Sequence, residues 1–146
     1  MHPALNLPPT KLKLKTNQVW DRLRKKYVLL TPEEWVRQHF IAYLIEHLGY
    51  PEGRMASEYT VDYNGMKKRC DVVAFDENLQ PFLIVECKAV SIEISENTFY
   101  QIARYASTLK AKLLILTNGM NHYCAKIDVT ENKLIYLETI PNFKEL

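Results

Sequence analysis

The stretch FLIVECKAV, Phe82–Val90, constrains the fold of this chain more than any other. It begins like the interior of a β-sheet and then sets Glu86 and Lys88 two positions apart. Side chains alternate faces along a strand, so Glu86 and Lys88 point one way while Val85, Cys87 and Ala89 point the other. An apolar strand is thus expected to present two opposite charges together on a stiff element.

The rest of the chain supplies partners for such a strand. At 146 residues, 25% charged and 47% apolar, it reads as one globular domain, and a net charge of +2 names no partner. Residues 1–30 read as an extension packed on the core: a Pro-rich start, an alternating Lys11–Lys15, then a helix and an extended stretch within Asn17–Leu30. The core domain is expected over residues 31–146. Its clearest helix lies in Thr31–Tyr50, with Thr31 as N-cap, Pro32 at the first helical position, Glu34 placed for a capping box and Gly49 ending the run. Strands are expected near Ser57–Tyr63, Cys70–Phe75 and Phe82–Ala89, joined by turns at Asn64–Lys68 and Asp76–Gln80. A second helix over Glu96–Leu109 precedes strands in Lys112–Gly119 and His122–Ile127, and Asn132–Ile140 reads as an edge strand. This order predicts an α/β sandwich around a mixed sheet.

The N-terminus lacks a signal-peptide pattern and no eighteen apolar residues run together, so a cytoplasmic protein without membrane contact is expected. Cys70, Cys87 and Cys124 fit neither a disulfide framework nor a zinc site and read as reduced, buried thiols. His39, His47 and His122 show no ligand spacing.

A hairpin closed by Glu77–Gln80 sets Asp76 opposite Pro81, Phe75 opposite Phe82 and Asp71 opposite Glu86. In that register Cys70 faces Cys87 on the other side of the sheet. Two carboxylates about 5 Å apart repel unless a cation lies between them. The pair suits a hard divalent ion such as Mg²⁺, with Lys88 one pleat further along to orient water or oppose phosphate charge. The plainer reading is a surface ion pair on an edge strand. Glu131–Lys133 repeats the E-x-K pattern in a polar turn with no apolar strand before it, so context separates the two triplets. In the first helix, Phe40, Ile41, Leu44, Ile45 and Leu48 form an apolar stripe that includes Arg37, with Glu34 on its margin. A core-facing guanidinium requires an acidic or phosphate partner. Either Glu34 and Arg37 look into the pocket holding Asp71 and Glu86, or Glu34 only caps the helix and Arg37 snorkels.

Asp71 followed by Glu86-Cys87-Lys88 resembles the signature of the PD-(D/E)XK nuclease superfamily. TPEEWVRQHF, KRCDVVAF, LIVECKA, YQIARYASTL and LILTNG together resemble the N-terminal nuclease domain of type I restriction enzyme R subunits, from about Thr31 to Ile127. The resemblance implies a restriction-endonuclease-like αβββαβ core, a four-stranded mixed sheet flanked by helices, and hydrolysis of DNA phosphodiesters dependent on Mg²⁺ or Mn²⁺. It assigns Asp71 and Glu86 to the metal, Lys88 to catalysis, the Cys87 carbonyl to the metal and Glu34 to the acid that the first helix adds. Gln101 and Tyr105 resemble a Q-x-x-x-Y element near the active site and the nucleic acid. Lys67, Lys68 and Arg69, read as a turn before the metal strand, and Arg37 are the candidate DNA contacts. Cys70 stands where the motif's name has proline, and no motor follows before Leu146. Two functions stay open: a stand-alone nuclease in restriction, defence or repair, or a nuclease-fold module reliant on helicase, motor or specificity subunits. Oligomeric state is not legible.

Overall fold

The predicted helix within Asn17–Leu30 is instead a β-hairpin. The computed structural model describes residues 2–63, 65–128 and 130–146, apart from the side chains of Tyr63 and Tyr105. In it, β1 (Leu14–Lys15), β2 (Gln18–Asp21) and β3 (Lys26–Leu29) form an antiparallel three-stranded sheet. Asp21 is the reason. Its Oδ1 accepts the Leu23 and Arg24 N–H groups at 2.8 and 3.2 Å, and its carbonyl accepts the Lys25 N–H at 2.7 Å. These bonds turn the chain before a helix can propagate. Lys25 completes the turn at φ 55°. Val19 and Asp21 are buried on one face, and Trp20 meets Tyr27 edge-on at 5.2 Å on the other.

Helix α1 (Pro32–Glu46) starts as expected, with the Thr31 hydroxyl accepting the Glu34 N–H at 3.0 Å. The capping box is only half formed, because the Thr31 N–H donates to the Leu29 carbonyl instead. Past the helix, Gly49 at φ 77° lets the Tyr50 N–H return to the Leu44 carbonyl at 3.0 Å. Val36, Phe40, Ile41 and Leu44 are completely buried.

The main sheet has six strands in sequence order: β4 (Met55–Tyr63), β5 (Met66–Phe75), β6 (Pro81–Cys87), β7 (Leu113–Thr117), β8 (His122–Asp128) and β9 (Lys133–Leu137). Only β6 and β7 pair in parallel, so the sheet is mixed. Helix α2 (Glu96–Thr108) supplies the crossover that a parallel pair needs. The predicted αβββαβ order is therefore present and extended by β8 and β9. Between α1 and the sheet, Phe40, Ile41 and Leu44 pack with Val72, Val85, Leu113 and Ile115. On the other face, Phe99, Ile102 and Ala106 of α2 pack with Val73, Ile84, Leu114 and Leu116. Both faces of β6 are thus covered, which is why its sequence is apolar on both. No helix among the described residues is long and apolar enough to cross a membrane.

Two local readings need correction. Lys67, Lys68 and Arg69 lie on β5 itself, paired with Asp62, Val61 and Thr60, and Asn64 of the expected turn lies outside the described residues. At the other end of β5, Phe75 pairs with Pro81, not Phe82, after an irregularity at Ala74/Phe75. There Asp76 Oδ1 takes the N–H groups of Asn78 and Gln80, shortening the expected ladder by one step.

The extension is tied down by charge as well as by apolar contacts. Asp21, with no exposed surface, accepts from the Ser57 hydroxyl of β4 at 2.8 Å and pairs with Arg24. Burial alone would raise its carboxyl; the Arg24 guanidinium, the Ser57 hydroxyl and two N–H groups outweigh this and hold it below the usual aspartate value. A depressed folded value gives stability that is present above the unfolded pKa of about 3.9 and lost as pH falls through the folded value. Asp21→Asn is expected to cost about 3 kcal/mol in urea unfolding at pH 7, and less at acid pH as the native carboxyl is titrated through its depressed value. Equal loss at both pH values would refute the ionic role.

Candidate active site

The β5–β6 ladder runs from Val73↔Ile84 to Val72↔Val85 and its printed pairs stop there. One step further the same register sets Asp71 across from Glu86. At that point a side chain takes over from the backbone: Asp71 Oδ2 accepts the Cys87 N–H at 2.7 Å. Beyond β6, the Lys88 N–H donates to the Thr117 carbonyl at 2.8 Å, so Lys88 follows the strand without belonging to it yet stays anchored to β7.

The strands also change face here. Along β5, Val72 and Ala74 lie on the α1 side, and simple alternation would put Cys70 with them. Cys70 packs instead on the α2 side with Val73, and in β4 Met55 lies on the α1 side but Val61 on the α2 side. The expected Cys70–Cys87 pairing therefore does not occur; Cys87 belongs to the α1 side. The change falls at Glu58 and Asp71, flanked by the pairs Ser57↔Val72 and Tyr59↔Cys70. Glu58 has φ 54°, a left-handed conformation that costs a non-glycine residue about 1–3 kcal/mol. The twist leaves Asp71 at the gap between β5 and β6, within reach of α1.

Arg37 reaches that gap from α1. It is 4% exposed, and its Nη1 lies 2.7 Å from Glu58 Oε1 and 3.6 Å from Asp71 Oδ1. Its Nε lies 3.0 Å from Glu34 Oε2 without hydrogen-bond alignment. Burial opposes the guanidinium charge, but Glu34, Asp71 and Glu58 together raise its pKa. Arg37 is therefore not a snorkelling residue; it is an internal cation facing several acids.

Glu34 does more than cap. Its Oε1 accepts from Arg24 Nη2 at 3.1 Å, and its Oε2 accepts from Gln38 Nε2 at 2.8 Å while facing Arg37. Both oxygens are engaged within α1 and the N-terminal sheet. The neighbouring Glu33, which sequence reasoning passed over, is the α1 acid that feels the site. Burial raises its carboxyl above the usual glutamate value and the Asp71 charge adds to this, with Arg37 and Lys88 acting in the opposite direction. Its position four residues before Arg37 was the available signal, and Arg37 Nη2 lies 3.9 Å away.

On the α2 side, Glu86 and Lys88 line a cleft of about 200 Å³ with Lys68, Thr98, Gln101 and Ile102. Lys68 and Gln101 of the sequence-predicted set are thus brought to the E-x-K residues. Arg69 Nε turns to Glu58 Oε2 at 2.9 Å, and Lys67 is exposed. The side chain of Tyr105 lies outside the described residues. Burial pushes the Cys87 thiol well above its usual value, aided by the Asp71 charge, leaving its backbone as the part available to the site. Among the described residues no group of three or more His, Cys, Asp or Glu side chains could hold a metal ion. Two carboxylates from adjacent strands and a backbone carbonyl remain as hard oxygen donors of the kind Mg²⁺ takes together with water.

A mixed sheet with αβββαβ order and an acid–E-x-K set at its forked strands has the restriction-endonuclease-like architecture. The family model described as Type I restriction enzyme R protein N terminus (HSDR_N) matches residues 32–141, and the chain belongs to that family. Among solved structures, it is similar to a fragment described as an HsdR subunit of a type I restriction enzyme from Vibrio vulnificus YJ016, with a TM-score of 0.57 and 21% identity. That match covers 78% of this chain and 24% of the other, so the present chain spans about a quarter of its length. No curated protein matches the sequence.

Glu34→Gln is expected to lower unfolding free energy by about 3 kcal/mol, because it leaves Arg24 and the buried Arg37 short of a counter-charge. Urea denaturation checks this, and a loss below about 0.5 kcal/mol would make the network dispensable.

Proposed function

We propose that this chain is a DNA-cleaving domain of the restriction type, hydrolysing phosphodiesters with Mg²⁺ or Mn²⁺. The observation that carries the reading is the fork between β5 and β6, where Asp71 and Glu86 come one step beyond the last paired residues, Asp71 takes the Cys87 N–H and Lys88 follows on an anchored backbone. Asp71, Glu86 and the Cys87 carbonyl would hold the ion. When bound, the ion supplies Lewis-acid charge that polarises the phosphodiester and makes water a better nucleophile.

The chain's own residues have separate tasks. Lys88 and Lys68 set positive charge along the cleft, against the charge that builds on a phosphodiester oxygen during attack. Gln101, across the cleft on α2, offers an amide to orient water or phosphate. Asp71 is fixed by the Cys87 N–H, so one oxygen is oriented before any ligand arrives. Glu34 supports this arrangement through Arg37 rather than by contact.

A second reading, in which other restriction-type subunits deliver the DNA, is supported by the chain's membership of the type I R-protein N-terminus family. The two readings differ in whether the isolated chain cuts, not in the residues that cut.

Lys88→Ala is expected to retain fold and divalent-ion binding while losing on the order of 10²-fold or more in plasmid nicking. Equal nicking by wild type and variant would remove Lys88 from catalysis, with Glu86→Ala as the inactive control. Calorimetric titration is expected to show millimolar or tighter Mn²⁺ binding in wild type and none in Asp71→Ala; binding by neither would end the metal reading. Neutralising Lys67, Lys68 and Arg69 together is expected to flatten the salt dependence of DNA binding by about two to three units of slope. An unchanged slope would place the DNA elsewhere.

A further inference from the structure

Glu58 is held in an unfavourable backbone conformation inside a strand whose pairing continues on both sides of it. Its side chain is three-quarters buried, with 23% exposed, and both of its oxygens are taken by arginines. The register puts it beside Asp71, as Asp71 is beside Glu86, so three acids lie in one row across β4, β5 and β6. Arg37 pairs with the first two but favours one: its Nη1 is 2.7 Å from Glu58 Oε1 and 3.6 Å from Asp71 Oδ1, and it donates to the Asp71 backbone carbonyl at 3.5 Å.

That choice matters for a cation. A buried guanidinium bonded directly to Asp71 would neutralise it and compete with any divalent ion for its oxygens. We propose that Glu58 is a positioning residue that keeps the Arg37 guanidinium beyond hydrogen-bond length of the Asp71 carboxylate, leaving that carboxylate able to take a divalent cation. This rests on the metal reading given above and adds to it a residue outside the ligand set. The left-handed backbone at Glu58 is what aims its carboxylate at Arg37. The twist at this point is thus part of how the charge of Asp71 is kept available.

The proposal separates contact from net charge. Glu58→Gln keeps the length and loses the charge; Glu58→Asp keeps the charge and is one methylene too short to reach Arg37 from the same backbone. Both are expected to weaken Mn²⁺ binding roughly fivefold or more in calorimetric titration, as Arg37 moves to Asp71. Glu58→Asn tolerates the left-handed conformation and is expected to weaken binding to the same degree, which guards against a variant that merely misfolds. A crystal structure of ion-free Glu58→Gln should show Arg37 Nη1, now 3.6 Å from Asp71 Oδ1, drawn to a direct hydrogen bond with that carboxylate, about 2.8 Å. If Glu58→Asp binds Mn²⁺ as wild type does, only net charge counts and the positioning role is overturned. Unchanged binding in Glu58→Gln overturns it as well, while leaving the cleavage reading intact. If wild type binds no Mn²⁺, the metal reading itself fails and takes this proposal with it.

Discussion

The structure depends on one buried cation. Arg37 lies at the centre of a chain of alternating charges that runs Asp21, Arg24, Glu34, Arg37 and then Glu58 and Asp71. Each member satisfies the next, which is the condition under which charges survive away from water. The chain begins in the N-terminal sheet, passes through α1 and ends at the fork in the main sheet. It therefore mechanically joins three elements that share little backbone pairing. An exposed ion pair would contribute a few tenths of a kcal/mol; these are buried or half-buried, and breaking one strands its neighbours.

Much of this was readable from residue pattern. Capping residues and an apolar stripe marked α1, and unbroken apolar runs marked β6 and β7, which are buried on both faces. The Asp71–Glu86 alignment followed from alternation and a hairpin count. Near the turn the count slipped by one, since Asp76 recruits its own loop N–H groups, yet from Ala74 to Val72 the pairs follow it to one step short of the site. The position of Arg37 on the apolar stripe correctly announced a buried partner. What it could not announce was how many partners would share it.

The misses have a common cause: polar side chains whose partners leave no periodic trace in the sequence. Asp21 converted an expected helix into a hairpin, and its buried partners come from distant segments. Glu34 looked like a helix cap and is the bridge between two arginines. The face change at Glu58 had no sequence signal at all, because glutamate does not favour positive φ and only tertiary contacts sustain it. Consequently the cysteines that alternation would make neighbours, Cys70 and Cys87, sit on opposite sides. Glu33 was overlooked because its neighbour in sequence fitted a familiar capping pattern.

The hydrogen bond from Cys87 N–H to Asp71 can be regarded as the last tooth of a zipper. Every earlier tooth between β5 and β6 is made of backbone, which any residue supplies. This one is made of a side chain, so the sheet's closure here reads the identity of a single amino acid. Chemistry and architecture are thereby written at the same position, and a descendant that abandoned the chemistry would still need a carboxylate there, or some new fastener in its place.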